Sequence, residues 1–296
     1  KRGLNTPSIQ GLRQKIKATL VTSTNNTELS QAEINQLVAL FNTARYAEME
    51  NQASALLQRF PKIGFLWKAL GASLQSQGKE SLTVLQKTVE FLPDDADAHS
   101  NLGIALAAAG QLDDAVKCYR KAITINPQLA AAHSNLGIAL TNLGQIELAI
   151  KSCRRALEIQ PDSSELHSNL GNALAFNNLG NSPLDLVRLA EARTAFENAL
   201  RLKPDYALVH NNLGLIFLVQ GKPELAAQSF KRALTITPDF IDALNTLGVA
   251  LEKMGALDEA VVCYLGLLTK GLTNVRTYTI LGTVYLAQGS PNEAVN

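Results

Sequence analysis

The chain has little of what most enzymes and most secreted frameworks depend on. Its three cysteines, Cys118, Cys153 and Cys263, are too few and too scattered for a disulfide framework. Neither sign of charge dominates: 27 basic residues against 26 acidic leave a formal net charge of +1. No single-signed field is available to steer nucleic acid, so nucleic acid is not an expected partner. No stretch approaches the roughly 18 consecutive apolar residues of a membrane-spanning helix, so no membrane partner is expected either. Aromatics make up only 5% of the residues and β-branched runs are sparse. There is no nucleophile elbow, no Gly-rich phosphate loop, no His-Glu-x-x-His and no Cys-x-x-Cys. The chain is therefore read as non-catalytic, with no cofactor and no metal. Residue 1 is Lys rather than Met, so the native start is expected upstream, with room for a removed leader.

What is present is helix-forming and periodic. The sequence is 46% hydrophobic, dominated by Ala and Leu, which lose little conformational freedom in a helix. Leu-Gly pairs begin at Leu70, Leu102, Leu136, Leu170, Leu213, Leu247 and Leu281, at spacings of 32, 34, 34, 43, 34 and 34 residues. Each pair sits in a unit with landmarks at fixed offsets. The 96–129 unit carries Leu106, Gly110, Ala115, Tyr119, Ala122 and Pro127; the next carries Leu140, Gly144, Ala149, Cys153, Ala156 and Pro161; the 207–240 unit carries Phe217, Gly221, Ala226, Phe230, Ala233 and Pro238.

The offsets have a physical reading. Leu-Gly-x-x-Leu makes an i, i+4 apolar stripe whose Gly admits a second helix at close range. The Gly seven positions later suits the left-handed residue that ends the first helix. Ala, an aromatic four on and Ala three further on give the second helix its apolar face, and the Pro after it stops that helix. One unit is thus two antiparallel helices that cannot bury their faces without a neighbour. This is the tetratricopeptide pattern, and it predicts an all-α α-solenoid of about 7.5 helix-turn-helix repeats. The units fall near 30–63, 64–95, 96–129, 130–163, 164–206, 207–240 and 241–274, with a partial one at 275–296. Because a solenoid end needs a polar cap, the stop at Ala294-Val295-Asn296 is read as a chain that natively continues.

Two segments depart from the repeat. Residues 1–29 carry Lys1, Arg2, Arg13, Lys15 and Lys17 against Glu28 alone, and are read as a basic leader. Thr6-Pro7 can open a helix bearing Ile9, Leu12, Ile16 and Leu20, which would cap the first repeat or serve as a linker. The 164–206 unit has nine extra residues. Asn177 to Asn181 has loop composition, and Ser182-Pro183-Leu184-Asp185 reads as a helix start. The second helix is thereby lengthened, projecting Leu184 and Val187, to pack on a neighbouring repeat or to protrude as a binding element.

Candidate chemistry was weighed position by position. His99, His133, His167 and His210 share one repeat position. Equivalent positions on packed helices lie about 8–10 Å apart, too far for ligands that must each sit about 2 Å from one zinc, so they are read as packing residues. Asp113-Asp114 and Asp258-Glu259 open second helices, where they complement the macrodipole. The clusters Lys117-Arg120-Lys121, Lys151-Arg154-Arg155 and Lys231-Arg232 form a solvated outer face that lacks the interleaved aromatics of base stacking.

The asparagines preceding four successive Leu-Gly pairs stand apart: Asn101, Asn135, Asn169 and Asn212. Asn is a mediocre helix former. An amide offers both donors and an acceptor, which matches a peptide group. A row of them along an inner wall can hold an extended backbone without reading its side chains, at about 0.5–1.5 kcal/mol per hydrogen bond. These four are the candidate peptide-binding residues. Ser100, Ser134, Ser168, Asn211 and Asn245 are expected beside them on the wall, with Leu215, Leu218 and Val219 adding apolar anchors.

The run His-Ser-Asn-Leu-Gly at 99–103, 133–137 and 167–171, together with the asparagine row, resembles the repeat region of O-linked N-acetylglucosamine transferases and bacterial SPINDLY-like relatives. Leu37 to Glu48, Phe60-Pro61 and Trp67 to Gly71 look like the bacterial members. The resemblance covers residues 30–296. It implies that the α-solenoid is right-handed, a superhelix that recruits protein substrates through Asn101, Asn135, Asn169 and Asn212, a bacterial cytoplasmic setting, and a catalytic domain beyond residue 296, so that this chain itself is not an enzyme. Ala69, Thr246 and Ile280 interrupt the row towards both ends. A chaperone-adaptor clamp for a C-terminal carboxylate is also considered: Lys68 and Asn101 match it, but Ala72, Ala131 and Asn135 break it. The expected partner is a protein or peptide in the concave groove, with self-association as a homodimer, through the convex face or the 176–190 insert, as the competing expectation.

Overall fold

The computed structural model describes residues 29–176 and 186–269, with Tyr278, Gly282, Thr283, Tyr285 and Leu286. The basic leader, the 177–185 part of the insert and most of the partial last repeat lie outside the described residues. The chain divides into two compact units, 1–143 and 144–296. Among the described residues the fold is all-α.

The first unit holds α1 (Gln31–Asn42), α2 (Tyr46–Arg59), α3 (Gly64–Ser76), α4 (Leu82–Phe91), α5 (Ala96–Ala108), α6 (Leu112–Ile125) and α7 (Ala130–Asn142). The second holds α8 (Ile146–Ile159), α9 (Ser164–Ala175), α10 (Leu186–Leu202), α11 (Ala207–Val219), α12 (Pro223–Ile236), α13 (Ile241–Lys253) and α14 (Leu257–Thr269). Within each unit successive helices pack on one another as antiparallel hairpins, an α-solenoid pattern in which every helix buries its stripe against a sequence neighbour.

Local chemistry sets the helix ends. Ser30 and Glu33 form a capping box at the start of α1, the Glu33 backbone N–H donating to Ser30 Oγ and the Ser30 N–H to Glu33 Oε2. Asp95 caps α5 by accepting from the Ala98 N–H at 2.9 Å. Pro223 occupies the first turn of α12. Gly110 ends the α5 turn at φ 78°, whereas the corresponding turn of the first repeat forces Ala44 to φ 55°. A side chain there has a Cβ in conflict with the backbone, at a cost of about 1–2 kcal/mol.

Within a hairpin, Gly of the Leu-Gly pair and the aromatic of the second helix are in direct apposition. A Cβ on Gly103 would lie 2.6 Å from the Tyr119 ring, one on Gly171 2.5 Å from Phe196, one on Gly214 2.4 Å from Phe230 and one on Gly248 2.6 Å from Tyr264. The aromatic is thus a knob whose hole is a missing methyl group. Phe196, Phe230 and Tyr264 have no exposed surface, and around Phe230 and Tyr264 gather Ala226, Leu247, Ala250 and Leu251.

The lengthened helix of the insert is present: α10 runs 17 residues against 14 in α8 and α12. Val187 projects, 69% exposed, as does Leu186 at 64%. The same turn is also tied down, by an Arg188–Glu147 ion pair and by Arg154 to Glu191 at 2.7 Å. Ion pairing to α8 and exposed apolar side chains thus coexist in the first turns of α10.

Candidate functional site

Within each unit first helices alternate with second helices, and the asparagines stand on the outward stripe of the first helices. In the first unit α5 carries Asn101 and α7 carries Asn135; in the second α9 carries Asn169 and α11 carries Asn212. All four are half-buried. One turn on, at i+3, the same stripe exposes Ile104 and Ile138 in the first unit and places Asn172 and Leu215 in the second.

The two pairs differ in what their amides do. The side chains of Asn101 and Asn135 have no hydrogen-bond partner among the described residues; Asn101 meets α3 only through its backbone carbonyl, which accepts from Gln75 Nε2 at 3.3 Å. Asn212 is engaged. Its Nδ2 donates to Asn172 Oδ1 at 2.7 Å, linking α11 to α9. Its Oδ1 accepts from Asn211 Nδ2 at 3.4 Å, and Asn211 Oδ1 lies 3.4 Å from the hydroxyl of Thr246 on α13, whose shorter bond, 2.7 Å, goes to the Asp242 carbonyl. An amide has two N–H donors and a two-lone-pair oxygen, so Asn212 retains one donor and one acceptor site for a ligand.

One expectation is corrected. Ser100 (5% exposed), Ser134 (5%), Ser168 (1%) and Asn211 (4%) are buried, not on the wall. Each step along a helix turns the side chain by about 100°, and one step back from the asparagine leads toward the hairpin interior, so these residues add no polarity to the surface. Asn245 is half-buried. Leu215, Leu218 and Val219 are also half-buried, and Leu215 and Leu218 pack partly into the hairpin core.

The histidine row has a defined role that its spacing alone did not reveal. His99, His133, His167 and His210 each place Nε2 at 2.9, 3.1, 3.0 and 2.9 Å from the carbonyl oxygen of Pro93, Pro127, Pro161 and Pro204 respectively. A carbonyl only accepts, so Nε2 carries the proton and donates. Trp67 makes the same bond from Nε1 to the Pro61 carbonyl at 2.7 Å. A ring N–H six residues after the proline therefore ties the starts of α3, α5, α7, α9 and α11 to the chain that leads into them, whereas α13 has Leu244 at this position. The signal was in the sequence as a recurring Pro-x5-His. No group of three or more His, Cys, Asp or Glu suited to a metal occurs among the described residues.

Lys68, 8% exposed, sets both Asp95 oxygens at 2.9–3.0 Å, with Asp97 at 3.7 Å. This ion pair joins α3 to the cap of α5 and consumes the lysine that a carboxylate clamp would need. The thiols are free, and burial pushes Cys153 up to about 12 and raises Cys118 and Cys263. They remain protonated and unreactive at neutral pH.

Comparisons with known proteins follow from this geometry. Family models described as TPR repeat and tetratricopeptide repeat match residues 105–144, 130–163 and 177–239. No curated protein matches the sequence. Among solved structures, PilF of Pseudomonas aeruginosa is similar at 24% identity and TM-score 0.59, over 68% of this chain and 87% of that one. The Cut9–Hcn1 hetero-tetramer of the APC/C gives a TM-score of 0.62 at 19% identity, over 96% of this chain and 54% of that one. YrrB, described as a TPR protein with an unusual peptide-binding site, gives 0.50 at 21% identity, over 65% and 95%. At these identities the likeness is one of fold. No helix among the described residues is long and apolar enough to cross a membrane.

Proposed function

We propose, from the premise that this chain is a tetratricopeptide-repeat protein and so a scaffold for protein–protein interaction, that its first-helix wall holds an extended segment of a partner by the backbone. Asn101, Asn135, Asn169 and Asn212 are the gripping residues. The observation that supports this most is the state of Asn101 and Asn135: two half-buried amides at one repeat position, without a partner of their own, each beside an exposed isoleucine. A half-desolvated amide costs little to complete with a ligand's peptide group, and an aliphatic neighbour shields the bond from water. YrrB, a TPR protein with an unusual peptide-binding site, supports peptide binding as a use of such a fold.

The test is titration of the full chain with extended, unstructured peptides. Replacing all four asparagines by Ala should weaken binding at least about tenfold, at about 0.5–1.5 kcal/mol per lost bond. Equal affinity for the two proteins removes the asparagines from the site.

A second reading is favoured by the repeated His-Ser-Asn-Leu-Gly run: the chain is the substrate-recruiting region of a glycosyltransferase. Reading the coding sequence downstream of residue 296 tests it, and a stop codon within one helix of that point ends it.

A further inference from the structure

In the 144–296 unit the first helices are poor in cations, and among the second helices α14 carries none either. The second helices α8, α10 and α12 carry eight Lys and Arg between them; the first helices α9 and α11 carry none, and α13 has only Lys253 in its last turn. The first helices do carry acids. Glu165 on α9 and Asp242 on α13 are exposed and have no ion-pair partner among the described residues. Both lie five positions before the Leu-Gly pair, at the register that Leu208, 44% exposed, occupies on α11 between them. One turn further along sits the row Asn169, Asn212 and Thr246. The wall is therefore a grid: a row reading acid, leucine, acid beside a row of amides and hydroxyl. The three helices pack side by side, with the Asn212–Asn172 bond joining α11 to α9.

We propose that this wall docks an extended, positively charged polypeptide segment in the polyproline II conformation, with Lys or Arg at positions i and i+6 and an aliphatic residue at i+3. The proposal rests on the backbone grip above and adds what the amides cannot read. Neighbouring packed helices are about 8–10 Å apart. Three residues of polyproline II advance about 9.3 Å and complete one turn, so i, i+3 and i+6 face the wall together, one per first helix. A β-strand, with its two-residue period and about 3.3 Å rise, brings a side chain back every ~6.6 Å and falls out of step with the helices. The net absence of cations from the wall and the two unpaired carboxylates select a basic segment over a neutral or acidic one.

The experiment uses the full chain and three fluorescein-labelled peptides with the core Lys-Pro-Ala-Leu-Pro-Ala-Lys, or with both Lys replaced by Gln or by Glu, at low ionic strength. Binding should run Lys, then Gln, then Glu, with the Lys peptide about fivefold tighter than the Gln peptide, as two exposed ion pairs allow. The variant Glu165→Gln/Asp242→Asn should lose that advantage and bind the Gln peptide as before; both positions are exposed, and an unchanged helical circular-dichroism spectrum verifies the fold. Equal binding of the three peptides, or a Lys advantage that survives the double variant, overturns the charge reading while leaving the backbone grip intact. Failure of every peptide to bind overturns both.

Discussion

The 1–143 and 144–296 units are built from one repeat, yet they treat the same asparagine differently. In the first, Asn101 and Asn135 stand beside exposed isoleucines and spend no side-chain bond on the fold. In the second, the asparagine of α11 is bonded across to α9, because Asn172 on α9 stands where α5 and α7 carry isoleucine and presents an acceptor to the next first helix. An amide at that position makes the asparagine of the neighbouring first helix a brace between repeats. Recurrence of a residue type at a repeat position therefore does not fix its job; the residue that faces it from the preceding repeat does.

The largest expected effect tests what the units share. Gly103→Ala in the first and Gly214→Ala in the second should each drive a methyl group into an aromatic ring that has no exposed surface or nearly none. Each should destabilise by about 1–3 kcal/mol, as overpacking does, read as a shift in the urea midpoint. A neutral or stabilising result, driven by the better helix propensity of Ala, would mean that the hairpins have slack.

A smaller effect separates the units by pH. At the aromatic position α6 has Tyr119 and α8 has Cys153, and burial raises the pKa of both. For Cys153 the folded value, about 12, lies above the ordinary 9.0. The stability that this contributes is complete below pH 9 and is lost as pH rises towards 12, at about 1.4 kcal/mol per pH unit. Cys153→Ala should flatten the decline between pH 9 and 10, leaving the steeper fall that begins where an unfolded tyrosine ionises. Identical slopes for wild type and variant would remove the thiol from the account.

The smallest effect bears most directly on the contrast. Asn212→Ala should cost about 1 kcal/mol of stability, since the Asn172 oxygen loses its donor. Asn101→Ala/Asn135→Ala should leave stability within about 0.5 kcal/mol, as at other surface positions away from structural contacts. Equal losses would show that the first unit's asparagines also brace the fold.

The fold was legible because its determinants repeat. Gly opposite an aromatic, Gly at the helix exit and Pro at the unit's end each recur at a fixed offset, and each answers a local steric demand. The site was legible only as a row of candidates. The burial of Ser100, Ser134, Ser168 and Asn211 turns on one helical step, finer than an apolar pattern resolves. The Lys68–Asp95 pair spans 27 residues and the Asn172–Asn212 bond 40; both join different repeats, which no single repeat pattern contains. The histidine bond has a sequence signature, Pro-x5-His, but spacing alone does not say that the ring N–H meets a carbonyl six residues upstream.

That carbonyl latch decides where the chain can change length. It spans Pro161 to His167 and Pro204 to His210, the two seams that bracket the irregular repeat. The nine added residues fall in sequence between those seams, and both latches remain closed. Growth between two seams leaves the Pro-x5-His count untouched, whereas even one residue inserted within a seam would carry the ring past its acceptor. The short connections between a first helix and its second helix, such as 43–45 and 109–111, are accordingly where a tag, a label or a foreign loop should be tolerated, and the six-residue seams are where splicing should fail.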